Sequence, residues 1–360
     1  MAWSPVEVGI VGLGRIADLH AQAHRTHGRS RIRAICDSNP ATLERRRVEW
    51  GVESAYLDWR DLLADPAVEA VEVLLPHHLH HPVTVAAAAA GKHVCVQKPM
   101  ALDVAQCDEM IDACRRAGVL LQVFDNFLFH PPYRRARELV AQGAVGEPRA
   151  IRMKNGITLE PGGWDVPLDA WAWRMDRDQC GPGVITFDDG FHKLDVARWM
   201  LGPIERVSGW IEWTELMPGS GLRIDAPACF TWKHREPGRF GVMDVTLSRH
   251  LAIPSRYYPM DEQVEVTGDR GVLYLTRCTA DMTLGAPLVM FSEGRWSRFD
   301  DLEDDWASGF REASRAFAEA VRGAREPELS GEEARHVTQV ALACHVAADR
   351  GGWVRVDDVG

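Results

Sequence analysis

Residues 6–17 read VEVGIVGLGRIA, and this stretch decides the fold. Its first half, Val6–Val11, is a short run of β-branched and small residues that predicts a buried strand. The second half is a G-x-G-x-x-A turn that opens a helix. The first glycine permits the bend, the second lets the main chain approach a pyrophosphate, and the small alanine lets the helix pack on the strand. The residues that we assign to this phosphate loop are Gly12, Gly14, Arg15, Ile16 and Ala17.

An acidic residue supports this interpretation. Asp37 follows a second predicted strand at residues 32–36 and lies 20 positions beyond Ala17. An acid at that distance binds the ribose hydroxyls of an adenine dinucleotide. Its carboxylate would repel a 2′-phosphate, so we expect NAD as the cofactor. The arginines at positions 45–47 leave NADP open as an alternative.

The order of predicted elements divides the chain in two. Strands and helices alternate in the first third, which predicts a doubly wound parallel sheet of the Rossmann type, an α/β arrangement. Beyond residue 126 alternating segments follow one another without helices between them, which predicts an α+β region with an open, mostly antiparallel sheet covered by helices on one face. We expect an NAD(P)-binding domain at residues 1–125, and a domain for substrate binding and oligomerisation at residues 126–360. The predicted strands of the first part are residues 6–11, 32–36, 70–75, 93–96 and 120–124, and its clearest predicted helices are residues 16–26, 82–90 and 104–117. The alternating segments of the second part are residues 206–214, 228–234, 239–248, 262–267 and 272–276.

Composition excludes several classes of function. The chain has 360 residues and a formal net charge of −11, which disfavours binding to nucleic acid or to an anionic membrane. Its eight cysteines form no C-x-x-C pair, so we expect reduced thiols and no structural zinc. The N-terminus lacks the basic start of a secretory signal, which favours a cytoplasmic protein.

Two further motifs carry candidate chemistry. The run Val96-Gln97-Lys98-Pro99 follows a predicted strand at its carboxyl end, where open α/β sheets bind ligands. Lys98 could there meet a substrate oxygen, although a lysine in a loop is more often a surface residue. In the run DDGFH, Asp188 and His192 would share one face of a helix, so that the carboxylate could orient an imidazole suited to proton transfer. Taken alone, that pair would read as a helix cap and a satisfied histidine.

Together these motifs resemble the Gfo/Idh/MocA family, named for glucose–fructose oxidoreductase and inositol dehydrogenase. The resemblance covers nearly the whole chain in order. It implies an NAD(P)-dependent oxidoreductase that transfers a hydride to or from a secondary alcohol carbon of a sugar, glycoside or cyclitol. The stretches that carry it are GLGRIA, LPHHLHHPVTVAAAAAGKHVCVQKPMA, NFLFHPPYRRARELVAQGAVGEPRAI, GVITFDDGFHKLDVARWMLG and FAEAVRGAREPELSGEEARHVTQVALA.

The resemblance implies a role for individual residues. Lys98 matches the lysine of an E-K-P motif that touches the reacting oxygen. Asp188 and His192 match a D-x-G-x-H pair in which the histidine accepts or donates the proton. The remaining matches are Pro76 and His80 for the nicotinamide pocket, Gln97 beside the cofactor, Asn126 on the substrate side, and Asp195 near the substrate.

Three departures from the family pattern are visible. Gln97 stands where the family usually has glutamate, which removes a negative neighbour and should let Lys98 lose its proton more easily. Leu128 replaces a common arginine, which weakens the case for an anionic substrate. Pro182 interrupts the glycine-rich stretch ahead of Asp188.

Two features invite a functional reading that competes with an ordinary one. The loop between the motifs contains Trp164, Trp171 and Trp173 beside Arg174. These rings could fill a core or stack on a sugar, and we assign Trp173 and Arg174 to the substrate side. The run HHLHH at residues 77–81 looks like a metal site, but four histidines on one short loop rarely converge on a metal, so we expect none.

Two other functions remain open at this point. A tightly bound NAD could oxidise a hydroxyl transiently so that glycoside cleavage or epimerisation follows, or the chain could be a non-catalytic NAD(P)-binding regulator. Assembly can also be predicted. The strands of the second part contain Trp210, Trp213, Phe230 and Trp232, and an exposed apolar sheet of that extent predicts a homodimer or homotetramer.

Overall fold

The computed structural model describes residues 3–217, 219–280 and 282–360, with the main chain only at residues 168 and 169. The chain divides into two compact units. The first holds the chain up to Asn126 together with Asp178–Cys180 and Gly309–Thr338, and the second holds Phe127–Arg177, Gly181–Ser308 and Gln339–Gly360. The sequence-based division placed residues 309–338 with the second part.

The first unit contains a parallel six-stranded sheet in the order β3-β2-β1-β4-β5-β6. The chain order reverses between β1 and β4, so the loops after these two strands diverge and leave a crevice at the carboxyl edge of the sheet. This is the predicted Rossmann arrangement, which the structure confirms. The strands are β1 (Val6–Val11), β2 (Ser30–Cys36), β3 (Ser54–Tyr56), β4 (Ala70–Val73), β5 (His93–Gln97) and β6 (Leu121–Phe124).

Helices connect these strands, and their ends follow local capping rules. The Asp103 side chain accepts a hydrogen bond from the Gln106 N–H at the start of α5, and Gly118 ends that helix in the left-handed conformation with φ 67°. The helix at residues 104–117 agrees with the sequence prediction. The helices before the second unit are α1 (Ala17–Thr26), α2 (Pro40–Trp50), α3 (Trp59–Ala64), α4 (His80–Ala89) and α5 (Val104–Ala117).

The second unit contains a nine-stranded sheet in the order β16-β15-β14-β13-β7-β12-β11-β8-β17. Its neighbours pair antiparallel except β7 and β12, which pair parallel along Phe240–Ser248. The predicted mostly antiparallel sheet is therefore confirmed. The strands are β7 (Pro148–Thr158), β8 (Ile204–Ile211), β9 (Thr214–Glu215), β10 (Arg223–Ile224), β11 (Ala228–His234), β12 (Phe240–Ser248), β13 (Met260–Gly268), β14 (Gly271–Leu275), β15 (Leu288–Ser292), β16 (Arg295–Phe299) and β17 (Val354–Arg355), of which β9 and β10 form a separate pair.

The remaining helices are α6 (Pro131–Ala141), α7 (Leu168–Trp171), α8 (Arg177–Cys180), α9 (Gly190–Leu201), α10 (Ala307–Val321) and α11 (Gly331–Arg350). Within the described parts of the chain, none of the helices is long and apolar enough to cross a bilayer. A six-residue π-helix, Val184–Asp189, leads directly into α9.

The burial pattern of β11 corrects one expectation. Phe230 and Trp232 are fully buried, and the residues that alternate with them, Thr231 and Lys233, face outward. The two aromatic rings therefore belong to the core and not to an exposed apolar surface. Side chains alternate between the two faces of a strand, so the large residues of one strand need not share a face with those of the next. Trp210, which pairs with Cys229, lies on the outward face and is 49% exposed.

Candidate active site

The glycine turn after β1 has the backbone that a phosphate loop requires. Gly12 has φ +95°, and a Cβ there would lie 2.5 Å from the carbonyl oxygen of Leu74, so only glycine fits. A Cβ on Gly14 would meet no atom within 4 Å, so packing within the protein does not explain this glycine. Its exposed main chain, followed by the N-terminus of α1 at Ala17, fits the close approach of a diphosphate.

Asp37 fastens this loop to the end of β2. Its Oδ2 accepts a hydrogen bond from the Leu13 N–H at 2.9 Å, and its Oδ1 accepts one from the Asn39 N–H at 2.8 Å. Each carboxylate oxygen can accept a second hydrogen bond, so the contact with Leu13 does not prevent binding of a ribose hydroxyl. The carboxylate thus lies beside the glycine turn, at the carboxyl edge of the sheet.

The arginines near Asp37 are engaged elsewhere. Arg46 is buried, and its guanidinium binds Asp18 at 2.9 Å and Glu49 at 2.7 Å. Arg47 pairs with Glu44 at 2.8 Å, whereas Arg45 is exposed. Arg15 of the glycine turn also reaches Asp18, at 3.1 Å. Two of the three cations that could meet a 2′-phosphate are therefore already bound to carboxylates.

Lys98 directly follows β5 at the same edge of the sheet. A cis peptide joins it to Pro99. His80 holds this turn in place, because its Nδ1 lies 2.8 Å from the carbonyl oxygen of Pro99 and its Nε2 lies 2.9 Å from that of Leu75. Burial lowers the pKa of His80 to about 3, and a neutral ring donates to only one of these two oxygens at a time. Both ring nitrogens face main-chain oxygens, which makes His80 a support for the turn. Pro76 begins the short helix that leads to it.

Two of the other histidines of this run, His77 and His81, have separate partners. The His77 Nδ1 lies 2.7 Å from the carbonyl oxygen of Cys180, and the His81 Nε2 lies 2.8 Å from Glu109 Oε2. Among the residues that the structure describes, no group of three or more His, Cys, Asp or Glu side chains is arranged to hold a metal ion.

Asn126 ends the first unit just beyond β6. Its side chain is 2% exposed, and its Nδ2 has no hydrogen-bond partner within the described part of the protein. An unpaired buried amide donor costs on the order of 1–3 kcal/mol, so a group bound from outside the chain would stabilise it. This donor fits a carbonyl or hydroxyl oxygen of a cofactor or substrate.

In the second unit, Asp188 and His192 lie on a continuous helical segment. Asp188 belongs to the π-helix, where its N–H donates to the carbonyl oxygen of Gly183 at 3.1 Å, and His192 belongs to α9. π-Helical turns inside helices occur mostly at functional sites. Asp225 caps the segment, because its carboxylate accepts hydrogen bonds from the N–H groups of Ile185 at 2.9 Å and Thr186 at 2.6 Å.

The Asp188 carboxylate has a cationic neighbour that the sequence did not predict as its partner. Its Oδ2 accepts a hydrogen bond from Arg174 Nε at 3.0 Å, and the Arg174 guanidinium lies over the Trp173 ring, 4.3 Å from its centroid. The structure therefore brings together three residues assigned to the substrate side. An aromatic face, a cation and a carboxylate in sequence form a surface able to bind hydroxyl groups.

The His192 ring stacks on Phe127. The two ring centroids lie 4.3 Å apart with an interplanar angle of 25°, and the ammonium of Lys193 lies 4.7 Å from the centroid of the same Phe127 ring. The imidazole is 7% exposed, so the stack fixes its plane while leaving an edge open. This arrangement suits a group that must present one nitrogen to a bound molecule.

Lys193 belongs to a buried charge cluster beneath this stack. Its ammonium lies 3.2 Å from Asp189 Oδ2 and donates to Glu262 Oε1, and the Asn155 Nδ2 donates to Asp189 at 2.6 Å. Burial by itself would lower the pKa of Lys193, but the carboxylates of Asp189 and Glu262 outweigh it and raise that pKa well above its ordinary value. The lysine is a permanent cation here.

Comparison with known proteins identifies the chain. Residues 6–125 match the oxidoreductase family described as having an NAD-binding Rossmann fold, and residues 133–274 match the Gfo/Idh/MocA C-terminal domain. The chain belongs to the Gfo/Idh/MocA family of oxidoreductases. The resemblance inferred from the motifs is thereby confirmed, and so is the prediction of an enzyme.

Several members of the family are similar over their full length. A myo-inositol 2-dehydrogenase of Thermotoga maritima is 27% identical over 98% of this chain and 99% of its own. An Agrobacterium radiobacter oxidoreductase in complex with NAD+, L-tartaric acid and magnesium superposes with a TM-score of 0.84 at 21% identity, and covers 99% of both chains. A levoglucosan dehydrogenase in complex with NADH and levoglucosan superposes with a TM-score of 0.83 at 20% identity, covering 98% of this chain and all of the other.

Asp195, which matches the Gfo/Idh/MocA pattern, and Trp164, of the tryptophan-rich loop, contact other side chains of the second unit. Asp195 is fully buried and accepts a hydrogen bond from Arg198 Nε at 2.8 Å. Trp164 packs against Tyr257, Tyr258 and Trp306, with ring centroids between 5.4 and 6.1 Å apart. Asp195 is buried within the second unit, and Trp164 is half-buried there.

The sequence reasoning missed the supports of this Gfo/Idh/MocA site. Most of them are buried polar residues that are distant in sequence from the groups they hold. One local signal existed, since a phenylalanine after Asn126 is part of the NFLF run. The missed residues are His20, Glu72, Phe127, Lys193, Asp225 and Glu262.

Proposed function

We propose that the enzyme is an NAD-dependent dehydrogenase that oxidises a secondary alcohol of a neutral cyclitol or sugar, or reduces the corresponding ketone. The observation that carries the proposal is His192, stacked on Phe127 in the helix whose preceding turn holds Asp188. Full-length similarity to a myo-inositol 2-dehydrogenase supports the same reaction class.

Each chemical role falls to a residue of suitable type. A bound nicotinamide supplies the hydride acceptor or donor. His192 takes the hydroxyl proton during oxidation and returns it during reduction, because an imidazole exchanges protons readily near neutral pH. Lys98 binds the reacting oxygen and stabilises the negative charge that develops on it. Asp188 orients the imidazole and, with Arg174, binds neighbouring hydroxyl groups.

The first unit supplies the residues that would hold the cofactor. The open main chain at Gly14 and the start of α1 fit the diphosphate, and Asp37 fits the adenosine ribose. The engagement of Arg46 and Arg47 with carboxylates favours NAD over NADP. Pro76, Gln97 and Lys98 follow strands at the same edge and fit the nicotinamide side.

The substrate side favours an uncharged polyol. Arg174 is neutralised by Asp188, so no net positive charge is offered by this pair. The position where many relatives have an arginine is Leu128, which is fully buried. The exposed parts of Trp173 and Arg174 could stack on the C–H face of a ring and bind its hydroxyls.

The same experiment tests two alternative functions. Transient oxidation by a tightly held NAD would give product without net NADH. A regulator without activity would bind NAD and change no substrate. The intact set of Lys98, Asp188 and His192 supports the dehydrogenase over the regulator.

The first prediction concerns this chemistry. Cyclitols, sugars and glycosides should be screened with NAD and NADP, with turnover read from the absorbance of reduced nicotinamide. On the best substrate, His192→Ala and Lys98→Ala should each reduce kcat about 100- to 10,000-fold, the usual cost of losing a proton-transfer group. Both variants should bind NADH with nearly unchanged affinity, because neither residue is assigned to the adenosine half.

The controls separate the alternatives. Trp164→Phe, which alters an interior ring, should keep near-normal turnover. Activity that leaves no net NADH, with cofactor retained through gel filtration, would support transient oxidation instead. Near-normal turnover by His192→Ala would contradict the assignment of the proton to this residue.

We also propose that the enzyme is a homo-oligomer assembled through the outward face of the second unit's sheet, and that it works in the reducing cytosol, where its eight unpaired cysteines would persist. The large residues on this face are Trp210, Phe240 and Trp296, which are 49%, 39% and 62% exposed. They lie on β8, β12 and β16, and the Arg152–Glu265 pair lies on the strands between β12 and β16. Light scattering at micromolar concentration should give a multiple of 40.2 kDa, and a monomer would contradict the proposal.

A further inference from the structure

A buried polar network lies directly behind the Lys98 turn. His20, on α1, is fully buried, and its Nδ1 lies 2.7 Å from Glu72 Oε2. Its Nε2 lies 2.9 Å from the side-chain nitrogen of Gln97. The imidazole also packs on Phe124, with the ring centroids 4.2 Å apart. The ring is thus fixed by two polar contacts and by packing on two aromatic rings, Phe124 and Phe310.

The strand register explains why these residues meet. Glu72 on β4 pairs with Cys95 on β5, and Gln97 lies two residues farther along β5. Side chains two apart on a strand point to the same face, and so do paired side chains of neighbouring parallel strands. Glu72 and Gln97 therefore share the face of the sheet that α1 covers, and His20 bridges them.

Hydrogen bonding determines which nitrogen of His20 carries the proton. The Lys98 N–H donates to Gln97 Oε1 at 3.2 Å, so the amide oxygen faces Lys98 and the amide nitrogen faces His20. An amide nitrogen only donates, so His20 Nε2 must accept. The proton of the imidazole then lies on Nδ1, where it is donated to Glu72. His20 is neutral in this arrangement.

A second histidine balances the charge of Glu72. The His24 Nε2 lies 3.1 Å from Glu72 Oε2, and its Nδ1 lies 2.6 Å from Ser30 Oγ. Burial alone would raise the pKa of Glu72, but His24 and His20 outweigh burial and hold that pKa below its ordinary value. The other titratable groups here are His27, whose pKa is lowered to about 4 chiefly by burial, and Cys95, whose pKa burial raises.

We propose that His20 and Glu72 are positioning residues for Lys98, acting through Gln97, and that the network requires a neutral His20. Glu72 fixes the tautomer of His20, His20 fixes the orientation of the Gln97 amide, and that amide holds the main chain where Lys98 begins. The carboxylate that influences Lys98 thus stands on β4, behind an imidazole, and not beside the lysine. This role rests on the proposed function, in which Lys98 binds the reacting oxygen.

The first arm of the test does not depend on activity. In protein with ¹⁵N-labelled histidine, the His20 signals, assigned by their loss in His20→Phe, should show an unprotonated Nε2 and a protonated Nδ1 at pH 7.5. In Gln97→Glu the new carboxylate needs a donor, so His20 should become protonated on both nitrogens. A doubly protonated His20 in the unaltered enzyme would overturn the proposal.

The second arm measures turnover against pH. Glu72→Gln and Gln97→Glu should each lower kcat about tenfold or more, since small displacements of a catalytic group are costly. Glu72 is not among the residues assigned to the cofactor, so Glu72→Gln should leave the KM for NAD the same. The double variant Glu72→Gln/Gln97→Glu reverses the network, with one carboxylate and a neutral His20. It should recover the thermal stability lost in the single variants and shift the alkaline limb of the pH–rate profile upward, because the carboxylate now adjoins Lys98.

The two arms distinguish the possible failures. Recovery of stability in the double variant with an unmoved pH profile would mean that the network is merely structural, which overturns the positioning role. If the unaltered enzyme transfers no hydride on any alcohol, the proposed function fails, and the role of the network toward Lys98 fails with it. The labelled histidine then still reports whether His20 is neutral.

Discussion

The two regions that carry the candidate chemistry are constructed differently. In the first unit the Gly12 turn, Lys98 and Asn126 each follow a different parallel strand, so the topology of the sheet brings them to one edge. In the second unit Asp188 and His192 lie on one continuous helical segment. The first arrangement depends on where strands end, and the second depends on how one helix is held.

The buried charges behind the two regions differ in the same way. Glu72 in the first unit is held by the imidazoles of His20 and His24. Asp189 and Glu262 in the second unit are balanced by Lys193, which stays charged throughout the physiological range. The comparison teaches that one carboxylate is held by the hydrogen bonds of imidazoles, while the other two are held by a permanent cation.

The largest effect is expected where the fixed cation is removed. Lys193→Met should destabilise the protein by about 3–5 kcal/mol, because it leaves the buried carboxylate of Glu262 and the partly buried carboxylate of Asp189 without a cation. Unfolding in urea at pH 7 measures the loss. Arg115→Met is the matched control, since Arg115 is 64% exposed and pairs with Asp112 on α5, so it should cost only about 0–1 kcal/mol.

A second substitution tests the cause of that loss. Adding Glu262→Gln to Lys193→Met removes one of the unpaired charges, so part of the lost free energy of unfolding should return. If Lys193→Met alone stays within about 1 kcal/mol of the unaltered protein, the cluster does not stabilise the fold in the way that burial of paired charges predicts.

Much of the fold was predictable because it depends on local pattern. The helix at residues 104–117 and the strand at residues 228–234 were predicted with their observed bounds, from apolar periodicity and from capping residues. Helix α2 was missed because its sequence, PATLERRRVEW, lacks a clear apolar stripe. The β15–β16 hairpin was missed although its turn, Glu293-Gly294 with φ 52° and 74°, carries a recognisable glycine signal.

The residues of the candidate site also differ in how far the sequence could predict them. Lys98, Asp188 and His192 could be proposed because each sits in a short motif. Their supports could not, since His20 and Glu72 are 52 positions apart and Lys193 and Glu262 are 69 apart. A contact between such residues depends on strand register and helix packing, which one sequence does not reveal. The burial of Phe230 and Trp232 was misjudged for the same reason.

A smaller effect should follow from histidines that are buried in the neutral form. Burial lowers the pKa of His234 to about 4 from an ordinary value of 6.5. The Trp232 Nε1–H donates to His234 Nε2 at 3.1 Å, and Nδ1 lies 2.6 Å from the carbonyl oxygen of Gly202, so the neutral ring satisfies both contacts. Burial similarly lowers the pKa of His130 to about 4.

The lowered pKa of these histidines determines the direction in which stability changes with pH. As the pH falls below 6.5 the unfolded chain binds a proton that the folded protein refuses, so stability is complete above pH 6.5 and declines toward the folded pKa. At pH 5, above the range in which most carboxylates titrate, each such histidine should have lowered the free energy of unfolding by about 2 kcal/mol. Lys193 contributes nothing to this decline, because its pKa lies far above the range.

Urea unfolding of the enzyme at pH 7, 6 and 5 measures this loss of stability. In His234→Gln the loss between pH 7 and pH 5 should be smaller by about 2 kcal/mol. His250→Gln is the matched control, because the His250 side chain is 89% exposed and should leave the slope unchanged. If His234→Gln lowers stability equally at every pH, the residue contributes packing and hydrogen bonds but no proton linkage. The acid sensitivity would then belong to other histidines whose pKa burial lowers, such as His130.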